Sequence, residues 1–377
     1  MSSRHSLAAS SLLLFSACFV FRPLQPTDER AAGQPFVESL SADNSKGLPL
    51  VGQPGQAAAP QSPPNQTGPL FPVVEHGKWG YIDKAGKIVI SPQYYVAYTF
   101  SEDLSLVQPW AVPLSRAIRV LIIDKTGKAV GSKIYSHAQA FSGGLALVVP
   151  AGEEKLGFGY IDKTGKMVIS QEYKEAQSFS EGLAAVEVGG KWGYIDETGK
   201  MVIPPQFSEA YRFSDGLAAV KDGGKWGYID KIGKMAIPPQ YDVAYQHSEG
   251  LAAVKTSGKW GFIDGTGKVI IPPQFSDTFG FSEGLVEVEV AKKWGYVDKT
   301  GKMVIPPKYD KVYKYSEGLA PVKAGGKWGF IDNTGQMVIT PQYDEAYPFS
   351  DGLANVEVGK KSGYIDKTGK YVWAPTK

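Results

Sequence analysis

Lys191-Trp-Gly-Tyr-Ile-Asp-Glu-Thr-Gly-Lys-Met-Val-Ile-Pro-Pro-Gln-Phe207 holds two apolar runs separated by a turn. Trp192 to Ile195 and Met201 to Ile203 are rich in residues that suit a pleated, half-buried surface. Asp196 stands where a type I turn wants an acceptor for backbone N–H groups, and Gly199 supplies the positive φ that a bulged hairpin needs. Pro204-Pro205 stops the second run, because proline lacks the ladder donor. Upstream, Leu183 to Val186 is another apolar run, followed by a Gly189-Gly190 turn. Downstream come Phe207, Tyr211 and Phe213, then a Ser214-Asp215-Gly216 turn. Helical periodicity free of Gly and Pro does not extend over ten residues anywhere in the stretch. The segment predicts a three-stranded β-meander.

The same segment recurs along the chain. Its turn aspartate returns as Asp83, Asp124, Asp162, Asp196, Asp230, Asp264, Asp298, Asp332 and Asp366, and the later steps are all 34 residues, as from Asp332 to Asp366. A 34-residue meander cannot bury its own apolar face, so neighbours must stack. The sequence therefore predicts an all-β tandem array of nine three-stranded repeats over residues 70–377. The first repeat opens in phase at Leu70 and the last ends in phase at Trp373, with no strand set aside to complete the opposite end. Nine also exceeds the usual blade number of a propeller. The expected arrangement is an open solenoid, with a propeller-like ring as the alternative.

These motifs resemble the WG-repeat family, also called KWG repeats, found mostly in bacterial proteins. The resemblance rests on Lys-Trp-Gly-Tyr/Phe-Ile-Asp, Thr-Gly-Lys, Ile-Pro-Pro-Gln-Tyr/Phe and Phe-Ser-Glu/Asp-Gly-Leu at fixed offsets. It implies a β-repeat scaffold that mediates interactions, and it carries no catalytic residue to transfer. The second repeat departs most, with Val120-Leu121 in place of Trp-Gly.

The chain has 377 residues, 40 Lys+Arg against 38 Asp+Glu, and a net charge of +2. That balance argues against a general grip on nucleic acid. One cysteine and four histidines leave little for a disulfide or a zinc site, so neither metal nor cofactor is expected. Residues 1–21 read as a signal peptide: Arg4 and His5 precede an apolar stretch, Leu7 to Phe21, too short to span a bilayer. Cys18 follows Phe15-Ser16-Ala17 in a pattern resembling a lipobox, which makes it a candidate lipidation site. Residues 22–69 are rich in Pro, Gly, Gln and Ala with Phe36 as their aromatic, and are expected to form a disordered tether. The expected location is exported: periplasm, outer-membrane lipoprotein or cell surface. Contact with a membrane is expected only through that lipid anchor.

Function is sought where the period fails. The turn aspartate and the aromatic before Ser-Glu-Gly keep a constant spacing, so length variation falls in the first hairpin loop. The second and third repeats carry insertions there, at residues 108–119 and 150–155. Insertions on one side of a repeat array often mark its binding side. Trp110, Arg116, Arg119, Glu153 and Glu154 are the candidate contact residues, since Trp and Arg dominate interface energetics. The nine turn aspartates are read as structural. The leading expectation is a non-enzymatic scaffold for a protein partner at the bacterial envelope. The alternative is an envelope glycan or peptidoglycan binder that stacks sugar on Trp110. His76, His137 and His247 lie in different repeats, and His247 fills a slot that is usually Phe, so no catalytic site is expected.

Overall fold

A computed structural model describes residues 68–110 and 119–376. The proposed signal peptide, Cys18, nearly all of the proposed tether and Arg116 lie outside the described residues. The described residues form 32 strands and one short 3-10 turn, Glu154–Leu156. The strands make eight antiparallel sheets, so the all-β expectation holds while the repeat arrangement needs three corrections.

The first correction concerns strand number. Six of the sheets have four strands rather than three. In the fifth repeat a two-residue lead strand, Glu209–Ala210, pairs with Ala218–Asp222, which pairs with Lys225–Ile229, which pairs with Met235–Tyr241. The lead strand was invisible because only Glu209 and Ala210 enter the ladder before the chain turns at Ser214.

The second correction concerns blade number. The first sheet has five strands: β1 (Phe71–Glu75), β2 (Lys78–Ile82), β3 (Ile88–Ala97), β4 (Leu104–Pro109) and β5 (Leu121–Asp124). It holds two turn aspartates, Asp83 and Asp124. The ten-residue β3 is the cause. Its first half pairs with β2 through Tyr81↔Ile90, and its second half pairs with β4 through Ala97↔Val107. Two sequence repeats are thereby fused into one sheet, and the molecule reads as an eight-bladed propeller.

The third correction concerns closure, for the array is a ring rather than a solenoid. Phe71, Val73 and Ile82 of the first sheet form one core with Leu353 and Tyr364 of the last. The Phe71 and Tyr364 rings meet edge to face at 5.5 Å, and the Tyr364 hydroxyl donates to the Pro72 carbonyl at 3.1 Å. The backbone of Gly86 lies against Val372, and the Lys84 ammonium lies against Gly352. Absence of an exchanged strand did not imply an open end, because every joint in the ring is made by side chains. The seam keeps the apolar positions of the internal joints, but Phe71 stands where most other repeats have Ala or Val and the Tyr364 hydroxyl reaches Pro72 instead of a carbonyl 17 residues on.

The recurring motif residues join one repeat to the next. The tyrosine after Trp-Gly donates its hydroxyl to a carbonyl 17 residues on, as in Tyr194 to Tyr211 at 2.7 Å and Tyr228 to Tyr245 at 2.8 Å. The serine of Phe-Ser-Glu-Gly donates to the carbonyl of the next repeat's aromatic position. Ser180 reaches Phe213 at 2.7 Å and Ser248 reaches Phe281 at 2.6 Å. The acid after that serine sits at positive φ beside a positive-φ glycine, as at Glu181 (53°) and Gly182 (85°), the pair that a two-residue hairpin turn requires. Its carboxylate then accepts the next repeat's turn N–H, as from Gly216 to Glu181 at 3.1 Å. The residue is thus a turn former and a strap between sheets at once.

The glycine after tryptophan is required by a close backbone approach. A Cβ on Gly227 would lie 2.5 Å from the Ile237 carbonyl oxygen and 2.7 Å from the Pro239 nitrogen. The last strand of the blade crosses here backbone on backbone, and the ladder skips register between Trp226↔Tyr241 and Tyr228↔Ile237. Only a residue without a side chain permits that crossing.

Candidate interaction face

Strand alternation sorts the turns onto two ends of the ring. The Ser-Glu-Gly and Asp-x-Thr-Gly turns share one end. The Gly-Gly-Lys turns, and the insertions that replace them, share the other.

At the first end the aspartates are occupied. Asp196 Oδ1 accepts the Thr198 hydroxyl at 2.6 Å, the Thr198 N–H at 2.9 Å and the Lys200 N–H at 3.0 Å. The Thr198 hydroxyl, foremost, holds this carboxyl below the usual range. Asp83 and Asp230 make the two backbone bonds but lack the hydroxyl, since Ala85 and Ile232 replace threonine. The lysine after the turn aspartate reaches the neighbouring sheet's glutamate. Lys163 meets Glu102 at 3.0 Å, Lys231 meets Glu181 at 3.1 Å and Lys299 meets Glu249 at 3.1 Å. Such half-exposed pairs each contribute about 0–1 kcal/mol.

The lysines before tryptophan behave alike at the other end. Lys225, Lys293 and Lys327 pair with Asp242, Asp310 and Asp344, each 17 residues on, at 2.5–2.6 Å. These three lysines are therefore neutralised across the joints between repeats. The repeat tryptophans are also engaged: Trp226 stacks on Tyr211 at 4.9 Å and Trp328 on Tyr313 at 5.0 Å.

The irregular repeats differ. Trp110 ends β4's hairpin arm and is 50% exposed. It tilts against Tyr95, itself 60% exposed, with ring centroids 5.9 Å apart. The Lys78 ammonium lies 5.4 Å from the Trp110 ring, close enough for a cation–π contact. Sequence reasoning missed Tyr95. Its signal was register: Tyr95 stands where later repeats have Ser208, Asp242, Asp310 and Asp344.

The third repeat adds a second patch at the same end. Arg119, Lys133, Pro150, Gly152 and Glu153 line one shallow groove. Glu153 lies 4.0 Å from Lys133. Glu154 is exposed and caps its own loop, where Oε1 accepts the Gly152 N–H at 2.9 Å. Leu156 projects from the 3-10 turn, 57% exposed. The fold thus brings Arg119 and Glu153 together and gives Trp110 to the first sheet's Tyr95 and Lys78.

Among the described residues, no group of three or more His, Cys, Asp or Glu could hold a metal ion. His247 is buried in a joint, edge-on to Tyr228 at 4.8 Å, and burial pushes its pKa down.

The repeat pattern described as the WG containing repeat matches residues 79–108 and then, without a gap, six further copies over 158–361. The chain belongs to this family. The stretch the WG-repeat pattern skips, 109–157, is the one that carries Trp110, Arg119, Glu153 and Glu154. No curated protein matches the chain in sequence. Among solved structures, the WG-repeat ring is similar to a eukaryotic initiation factor, with a TM-score of 0.57 at 12% identity, covering 81% of this chain and 95% of that one. Weaker likenesses include the dihydro-heme d1 dehydrogenase NirN (TM-score 0.43, 15% identity, 83% and 74% covered). PorZ, a surface component of the type-IX secretion system of Porphyromonas gingivalis, gives a TM-score of 0.33 at 11% identity, with 83% and 51% covered. At these identities the likeness concerns the fold alone.

Proposed function

We propose that this WG-repeat protein is an exported, non-enzymatic scaffold that recruits a protein partner through the insertion-bearing end of its first three repeats. One observation carries the reading. The recurring serines and acids are engaged between repeats, whereas the aromatic pair Tyr95 and Trp110 is exposed at the edge of the stretch that the repeat pattern skips. Exposed aromatic side chains next to a charged rim suit an interface anchor. Export rests on the basic start at Arg4 and His5 followed by the apolar stretch Leu7 to Phe21.

The test compares crosslinked capture from the source cell envelope by the natural chain and by a Tyr95→Ser, Trp110→Ala variant. The partner recovered by the natural chain should fall at least about tenfold with the variant, at an unchanged melting temperature, since each lost anchor removes about 2 kcal/mol. Equal recovery overturns the reading. The tilted Tyr95–Trp110 pair also favours a second reading, in which the rings stack a sugar of an envelope polysaccharide. Retention on peptidoglycan that is lost in Trp110→Ala would select it over a protein partner.

A further inference from the structure

Each blade begins its first long strand with Leu-x-x-Val, and the third position of that run lies inside the joint to the next sheet. Ala185, Ala219 and Ala253 occupy it in the fourth, fifth and sixth repeats. The seventh repeat has Glu287. Its side chain is 4% exposed, and its Oε2 has no hydrogen-bond partner. Around it lies the core that joins the seventh and eighth repeats, which includes Leu285, Tyr296, Tyr309, Tyr315 and Val322.

The charged and titratable groups facing Glu287 are few. Tyr296 stands opposite it on the adjacent strand, and Tyr309 and Tyr315 complete the phenol group around that ring. The cation near it is Lys314, half-buried in the segment that enters the eighth repeat. The register of Lys314 varies from joint to joint, with Arg212, Gln246 and Gly280 in the preceding ones. A buried acid, where the three preceding repeats have alanine, and a lysine within its field therefore coincide at one joint. The tyrosine hydroxyls cannot neutralise a carboxylate, because the Tyr296 hydroxyl already donates to the Tyr313 carbonyl and the Tyr315 hydroxyl to that of Asp332.

We propose that Glu287 is a proton-controlled latch in the joint between the seventh and eighth repeats. As the neutral acid it lies in the core and the joint is shut. As the carboxylate it is driven toward Lys314 and solvent, and the joint opens. An uncompensated carboxylate in such a core is strongly unfavourable, so the group keeps its proton or leaves. Burial pushes the Glu287 pKa up to about 7, with Lys314 opposing weakly. The sign follows from linkage. In the shut state Glu287 keeps its proton up to about 7, whereas in an opened joint it releases it near 4.5. Between those values the open state binds fewer protons, so rising pH favours opening, and below 4.5 the effect vanishes.

Hydrogen exchange on the whole protein tests this. After division by intrinsic rates, the opening constant of Leu285–Val290 and Leu319–Ala324 should rise about 100-fold from pH 5 to pH 9. The constant should not rise for Ala218–Asp222, whose joint carries Ala219 and the buried His247, which favours opening only toward low pH. Glu287→Ala restores the residue found at Ala253, is expected to fold, and should abolish the rise. A flat profile in the natural protein, or an equal rise in Glu287→Ala, overturns the proposal. A direct carboxyl titration by NMR is the second readout: a midpoint near 7 supports the latch and an ordinary carboxyl value sinks it.

Discussion

Gly227→Ala is expected to be among the most destabilising single substitutions in the ring, by about 4 kcal/mol, because the added methyl meets fixed backbone rather than a movable side chain. The Ile237 carbonyl oxygen and the Pro239 nitrogen would lie 2.5 and 2.7 Å from it. Relief requires the last strand to lift away, which uncovers the core around Trp226, Tyr228 and Ile237. Gly250→Ala is the control. Gly250 has a φ of +85° but nothing within 4 Å of its Cβ, so it should lose only about 1 kcal/mol of backbone strain energy. Chemical denaturation of both variants measures the contrast. Equal losses would mean that the close crossing, and with it the reason for the Trp-Gly pair, is wrong.

Phe71→Ala carries the second large effect. Phe71 is 6% exposed and fills the core that closes the ring. Truncating a buried Phe costs about 3–5 kcal/mol in transfer and cavity terms. At this site the loss falls on a joint between residues some 290 positions apart, so it should open the ring as well as lower the melting temperature. The Tyr364–Pro72 contact spans 292 residues, for comparison. Small-angle scattering should show a larger radius of gyration for Phe71→Ala than for Phe281→Ala, which removes a similar ring from a joint between adjacent repeats. Identical radii with equal stability loss would mean that the seam contributes nothing special to closure.

Much of the fold was legible in the sequence, and the reasons are local. Asp196 to Gly199 encodes its turn, and Trp192 to Ile195 encodes its strand, whatever lies elsewhere. What resisted reading was relational. Closure depends on the angle between successive sheets; Leu353 and Tyr364 are ordinary repeat residues, and Phe71, where most other repeats have Ala or Val, is one large ring among many. The fusion of two repeats depends on Tyr94-Tyr95-Val96 continuing a strand, where no residue forbids a break. The glycine after tryptophan recurs in the sequence, but the backbone that crosses it is visible only in the folded blade. The candidate face was legible in part: Trp110 and Arg119 stood out by falling outside the pattern, whereas Tyr95 and Glu287 were hidden inside it and needed position-by-position comparison with sister repeats.

Zero-length carbodiimide crosslinking of the monomer tests closure most directly. Lys84 of the first repeat shares a surface pocket with Asp351 and Asp366 of the last, its ammonium against Gly352. A closed ring predicts a crosslinked peptide joining Lys84 to Asp351 or Asp366, formed alongside the internal pairs Lys163–Glu102 and Lys231–Glu181. Recovery of the internal pairs without any Lys84 product would contradict it and return the molecule to an open array.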